Sequence, residues 1–391
     1  MGSKVLPSNG FLSVPSNSKE LQRLLAEYEI VVAATDIIDA NELHPIQQGL
    51  FGEVGGIMAT AKKVVREKST YSTYHKAAQE EFGDTFWYLA AMCRRQAVSL
   101  VNLMCDAFDA STLTTVKTAV SPASAPECVC PLTRMPHRMD EALMHLGHAT
   151  AELLNEQPSG PQMQVFAQRY VGALLAAGLH FEDVVRANMH KVRGAFIDPQ
   201  LEDLVDFDRE FEPDEQLPRN FEIRISQRAS GKSYLQWHGV FIGDPLTDNI
   251  GDQDGYRFHD VFHFANAAIL HWSPVMRALI KQKRKSIKDF DEEQDGGRAI
   301  VVEEGLTAWI FSRAKELNYF AGETRVSLGI LKTIQEFVAG YEVEQCPLKL
   351  WERAILGGYD VFRHMSAAKG GVVIGDREAR TLRFEPLEAT K

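Results

Sequence analysis

Apolar residues recur at helical spacing through the first half of the chain and then give way to short alternating runs. Residues 19–40 carry Leu21, Leu24, Leu25, Tyr28, Val31 and Val32 on one stripe, which predicts an amphipathic helix with Ser18 as its cap. Pro45 suits the first turn of a second helix reaching about Arg66. A third begins near Tyr74, passes Arg95 and is expected to run on toward Phe108. Periodicity lapses over residues 109–137, where Ser, Thr and Pro predict a loop or insertion. It returns over 139–155, 162–177 and 181–192, broken at Ser159-Gly160-Pro161 and Gly178. Beyond residue 218, Phe221–Ile225 and Tyr234–Ile242 alternate at period two around Ser230-Gly231-Lys232, predicting a hairpin. Helices are expected at 256–281, 300–318, 325–344 and 348–366, with short strands at 370–374 and 381–384 that could extend the hairpin into a small sheet. The fold class is therefore mainly α: an all-α helical domain followed by an α+β domain.

Composition sharpens the boundaries. Residues 1–18 are rich in Ser, Pro, Asn and Gly and read as a flexible leader. Residues 198–218 are acidic and bounded by Pro199 and Pro218, and read as a solvated linker between a domain at 19–197 and another at 219–391. The chain has 391 residues and a net charge of −11, which argues against broad nucleic-acid binding. No apolar run is long enough to span a bilayer, and the start lacks a secretory pattern. Five cysteines without a Cys-x-x-Cys pair fit neither a disulfide framework nor a zinc ribbon, so a cytoplasmic protein is expected.

Chemistry enters with the carboxylates of residues 49–91. Glu81 and Asp84 are three apart on one predicted helix, and Glu53 lies on the helix before it. Carboxylates on packed helices suit Mg²⁺, which takes a few such ligands with water and substrate phosphates. A Glu-x-x-Asp pair alone is more often a solvated face. The surrounding residues are more specific: Gly49-Leu-Phe-Gly-Glu53-Val-Gly-Gly56, Lys62-Lys63, Glu81-Phe-Gly-Asp84-Thr-Phe-Trp87-Tyr-Leu, and Gly178 through Asn188, Lys191 and Arg193. In this order they resemble the MazG-type nucleoside triphosphate pyrophosphohydrolases over about residues 20–197. The resemblance implies an all-α fold, Mg²⁺ (or Mn²⁺) on Glu53, Glu81 and Asp84, and a homodimer or higher homo-oligomer. It also implies substrate contacts from Lys62, Lys63, Trp87, Asn188, Lys191 and Arg193. Gly56 departs from the pattern, standing where the family has a further metal-binding Glu. A faint internal repeat aligns residues 50–57 with 146–153 and puts Glu152 in the place Gly56 vacates, in trans or across a pseudo-dimer.

A second group of polar residues spans 244–304. His259, His263 and Asn266 fall at i, i+4 and i+7 on one helical face, and Asp260 follows the first histidine. Two histidines one turn apart can share a transition metal, although such pairs are more often a hydrogen-bonded core. Lys283, Arg284, Arg298, Glu303 and Glu304 complete the set, with the basic run read mainly as surface. This half resembles the domain that follows the MazG module in some two-domain proteins, and the resemblance implies no particular chemistry for it.

The expected activity is Mg²⁺-dependent cleavage of a nucleoside or deoxynucleoside triphosphate to the monophosphate and pyrophosphate. One alternative is a nucleotide-binding sensor, as in stress or phage defence, in which the loss at Gly56 has removed catalysis. Another is a metal-dependent hydrolase in the second domain around His259, Asp260 and His263.

Overall fold

The structure is a computed structural model and describes residues 18–68, 73–119, 138–201 and 204–387. It divides into two compact units, one ending at Arg193 and the other beginning at Gly194. The leader, and residues 120–137 of the expected insertion, lie outside the described residues. So do Cys128 and Cys130.

The first unit is built from α1 (Ser18–Thr35), α2 (His44–Glu67), α3 (Tyr74–Arg95), α4 (Leu100–Ala119), α5 (Met139–Ala151), α6 (Gly160–Ala176) and α7 (Phe181–Phe196). Ile46, Leu50, Val54 and Ile57 form the buried stripe of α2. Phe82, Phe86 and Leu89 form that of α3. Ser159 caps α6 by accepting from the Gln162 amide, and the Gln162 side chain returns to the Ser159 backbone, so Ser159 fixes the helix start. The expected continuous helix past Arg95 is instead two. Ala97 takes φ of 52°, and the Val98 amide closes back on the Cys93 carbonyl at 2.9 Å, which ends α3 before α4 begins. Helix α4 also occupies positions 109–119, where a loop was expected.

The α2–α3 pair is antiparallel and close, and glycines set its register. A Cβ at Gly49 would overlap the Tyr88 ring, and one at Gly56 would overlap the Glu81 carboxylate. Both glycines lie on one face of α2, and both of their partners lie on one face of α3. In this register Glu53 stands level with Asp84. Each helical glycine costs about 1 kcal/mol relative to Ala, which the close approach offsets.

The second unit is α+β. Strands β1 (Asn220–Gln227), β2 (Ser233–Trp237), β3 (Val240–Leu246), β4 (Gly370–Asp376) and β5 (Thr381–Glu385) form an antiparallel sheet in the order β3-β2-β1-β4-β5. The stretch expected as one strand over 234–242 folds back at His238-Gly239, with φ of 50° and 77°, conformations that make a tight hairpin turn. On the sheet pack α8 (Asp260–Ala265), α9 (Pro274–Ile280) and α12 (Leu348–Ala368), and against these helices pack α10 (Gly297–Glu316) and α11 (Leu328–Phe337). The helix expected over 256–281 is broken: a wide turn at Asn266–Leu270 follows α8, and His271 adopts φ of 60° before Ser273 caps α9.

The acidic stretch expected to be a linker is packed into this unit where its sequence allows it. Phe207 and Leu217 join the core, and Asp208 is 1% exposed. The Asp208 carboxylate accepts from the Leu217 amide at 2.7 Å, pairs with Arg377 at 3.2 Å and makes a very short contact with Arg277. Charge alone suggested solvent; the buried arginines supplied from elsewhere in the chain reverse that reading.

Candidate functional sites

In the helical unit, α7 joins α3 through a polar relay. Asn188 is buried; it accepts the Tyr28 hydroxyl proton at 2.6 Å and donates to Asp84 Oδ1 at 2.9 Å. Lys191, one turn on, bridges Glu80 at 2.8 Å and the other Asp84 oxygen. Gly83 makes room for this approach, since a Cβ there would stand 2.9 Å from Asn188 Cβ. Burial lifts the Tyr28 hydroxyl well above its ordinary range, so it stays a proton donor. Tyr88 is raised by burial and then by the nearby charges of Glu53 and Asp84.

The three motif segments of the first half therefore meet on α2, α3 and α7. Glu53, Glu81 and Asp84 are half-buried. They are hard oxygen donors of the kind Mg²⁺ takes, and the α2–α3 register places them on facing surfaces. Among the described residues they do not form a set whose ligand atoms all lie within 4.8 Å of one another. Other expected contacts lie differently. Lys62, Lys63 and Arg193 are exposed. Trp87 turns its indole N–H to Thr35 Oγ1 at 3.0 Å, a packing contact. Glu152 does not sit beside Gly56. It caps α5 at the level of Gln47, whose side chain donates to the Leu153 carbonyl at 2.7 Å. Gly56 lies nine helical steps along α2 from Gln47, about 13 Å at the helical rise. Tyr28, Glu80 and Tyr88 were missed in the sequence. Tyr28 reads as one more apolar position, and nothing local marks its hydroxyl.

In the second unit, His259, Asp260 and His263 offer ligand atoms that all lie within 4.8 Å of one another. Helix α10 brings two carboxylates to them. Glu304 Oε2 lies 3.5 Å from both His259 Nε2 and His263 Nε2. Glu303 Oε1 lies 3.1 Å from His263 Nδ1. Glu303 is itself fixed by Asn266 Nδ2 at 3.0 Å, Ser273 Oγ at 3.1 Å and the Val275 amide at 2.9 Å. His259 points Nδ1 at the Tyr256 carbonyl at 2.9 Å and stacks on the Tyr256 ring. Burial pulls the His263 imidazolium down, but Glu303 and Glu304 outweigh it and raise its pKa to about 10. Burial pushes Asp260 up. The two histidines hold Glu304 below its ordinary range despite its partial burial.

Arg284 does not belong to this cluster or to the surface. It is buried against Asp295 at 2.7 Å and Glu342 at 2.6 Å, a structural pin. Its neighbour Lys283 is half-buried, and Arg298 is exposed. Glu303 and Glu304 lie in the second turn of α10. Ser273 was missed as a participant, although a Ser before Pro274 is a recognisable helix cap.

Residues 202–388 match the family model described as the MazG C-terminal domain. That match begins inside the acidic stretch. No curated protein and no solved structure matches the chain. No helix among the described residues is long and apolar enough to cross a membrane.

Proposed function

The chain carries a MazG C-terminal domain over residues 202–388, and we propose that the helical unit before it is a nucleoside triphosphate pyrophosphohydrolase. Water would add across the α–β anhydride, giving the monophosphate and pyrophosphate. The observation that carries this reading is the Asp84–Asn188–Lys191 relay. It ties α7 to the carboxylate helix, so that acidic and basic groups share one face. Glu53, Glu81 and Asp84 are the residues to hold Mg²⁺, which when bound would neutralise phosphate charge and lower the pKa of the attacking water. Glu53, level with Asp84, would orient that water. Lys191 sets a positive charge against Asp84 and Glu80 and can turn from them to a phosphate oxygen. Tyr28 holds Asn188, and so the position of Asp84.

The test is pyrophosphate release from a panel of NTPs and dNTPs with Mg²⁺ or Mn²⁺, comparing wild type with Glu81→Gln. Release that vanishes in a folded Glu81→Gln supports the enzyme, whereas equal release in both sinks it. The alternative is a nucleotide sensor. It is favoured by the engagement of Asp84 with Lys191, which neutralises a carboxylate the metal would need. Tight nucleotide binding without pyrophosphate release would identify it.

A further inference from the structure

We propose that His259 Nε2, His263 Nε2, Asp260 and Glu304 form a binding site for a divalent transition-metal ion in the second unit, with Glu303 as the residue that positions His263. The reading does not depend on the chemistry of the helical unit.

Three observations converge. The first is the donor geometry. His259 and His263 are one helical turn apart, and Glu304 Oε2 is 3.5 Å from the Nε2 atom of each. With Asp260 the site offers two imidazole nitrogens and two carboxylates, and the His259, Asp260 and His263 donors lie within 4.8 Å of one another. Mixed nitrogen and oxygen donors favour ions of the zinc, iron, cobalt or manganese kind over the all-oxygen preference of Mg²⁺ and Ca²⁺.

The second is the surrounding support. A metal-binding histidine is ordinarily oriented by an acceptor at its other nitrogen. The Tyr256 carbonyl takes Nδ1–H of His259 at 2.9 Å, which leaves the Nε2 lone pair facing Glu304. Glu303 faces Nδ1 of His263 at 3.1 Å. Its own oxygens are held by Asn266, Ser273 and the Val275 amide. The wide turn at Asn266–Leu270 follows directly after α8, and such insertions recur at functional sites.

The third is an unmet requirement. His263 is wholly buried, yet its Nε2 atom has no hydrogen-bond partner. Glu304 Oε2 stands 3.5 Å from it. A simple buried ion pair would close that distance, because an unsatisfied buried polar group is costly. An ion bound at Nε2 meets the requirement. Glu304 retains 40% side-chain exposure, so the site opens on its side and leaves room for water as a further ligand.

The experiment uses the full chain carrying Glu81→Gln, which weakens the oxygen site of the helical unit. Chelator-stripped protein is titrated with Co²⁺ and followed in the visible range, with Zn²⁺ as competitor. One equivalent of Co²⁺ with ligand-field bands, displaced by Zn²⁺, is the expected result. Glu304→Gln should weaken Co²⁺ binding at least tenfold. Glu303→Gln should weaken it about tenfold to a hundredfold, the usual effect of losing an orienting partner. His263→Gln should abolish the bands. If His263→Gln does not fold, the partly exposed Glu304→Gln carries the test. No visible bands in the parent chain, or Co²⁺ binding unchanged in folded Glu304→Gln, would overturn the proposal and leave a buried ion-pair cluster. Failure of nucleotide hydrolysis would not bear on it.

Discussion

The carboxylate of Glu81 occupies the space in which residue 56 would carry a side chain. Gly56 is therefore more than a lost ligand. With glycine there, the α3 carboxylate can lie directly against the α2 backbone. Any Cβ must displace Glu81 or push α2 away from α3.

Restoring the acid at this position should therefore harm activity more than stability. The overlapped atoms are the far end of the Glu81 side chain, so Gly56→Glu and Gly56→Ala should each change the stability of the helical unit by less than about 1 kcal/mol, relief of a helical glycine offsetting the displaced carboxylate. Pyrophosphate release should fall at least tenfold. Denaturant melts and the release assay check both, and a more active Gly56→Glu would show that Glu81 can move freely.

The Tyr28–Asn188–Asp84 relay predicts graded losses. Tyr28→Phe removes one hydrogen bond and should cost about 1 kcal/mol. Asn188→Ala strands a buried tyrosine hydroxyl and removes one donor from Asp84 Oδ1. It should cost about 1–3 kcal/mol. It should also raise the Mg²⁺ concentration needed for half-maximal pyrophosphate release. A Mg²⁺ dependence unaltered in folded Asn188→Ala would detach α7 from the site.

Asp208 anchors the acidic stretch to the second unit. Asp208→Ala leaves Arg277 and Arg377 buried without their shared anion. Removing one partner of a buried pair costs about 3–5 kcal/mol. Chemical denaturation of the full chain should show that loss. The neighbouring exposed Glu210→Ala should change stability by less than about 0.5 kcal/mol. Equal, small effects at both positions would restore the solvated-linker reading.

Acid should loosen the loop before β1–β3 lose their core. Burial pushes Asp248 up, but the Arg257 guanidinium and the Arg257 and Gly255 amides outweigh it and hold its pKa at about 2. A carboxylate depressed in the folded state contributes fully above its unfolded pKa of about 4 and loses that contribution as pH falls through the folded value. Wild type should lose more stability than Asp248→Asn between pH 4 and pH 2. Parallel melting curves across that window would remove Asp248 as a contributor.

Thiol labelling gives an independent check of the two cores. Burial pushes the Cys93 and Cys346 thiols up to about 12. Both should stay unlabelled by iodoacetamide at pH 8 in the folded chain and label on denaturation. Peptide mapping by mass spectrometry reads the two sites, and rapid native labelling at either would mean its core opens.

The order of helices, the α+β character of the second half and the acids of α3 were all legible in sequence, because periodicity and residue spacing are local properties of the chain. So was the His259–His263 face, since i and i+4 positions align on any helix. Element ends were read less well. Ala97 and His238 terminate their elements by adopting positive φ, and neither residue type announces that conformation as glycine does. Tertiary structure alone decided which residues meet: Glu81 with Gly56, Asp84 with Asn188, and the α10 glutamates with His259 and His263. It also decided that Asp208 and Arg284 are buried. A charge carries the same sequence signal whether it faces water or a distant counter-charge, and only packing brings that counter-charge within a few ångströms.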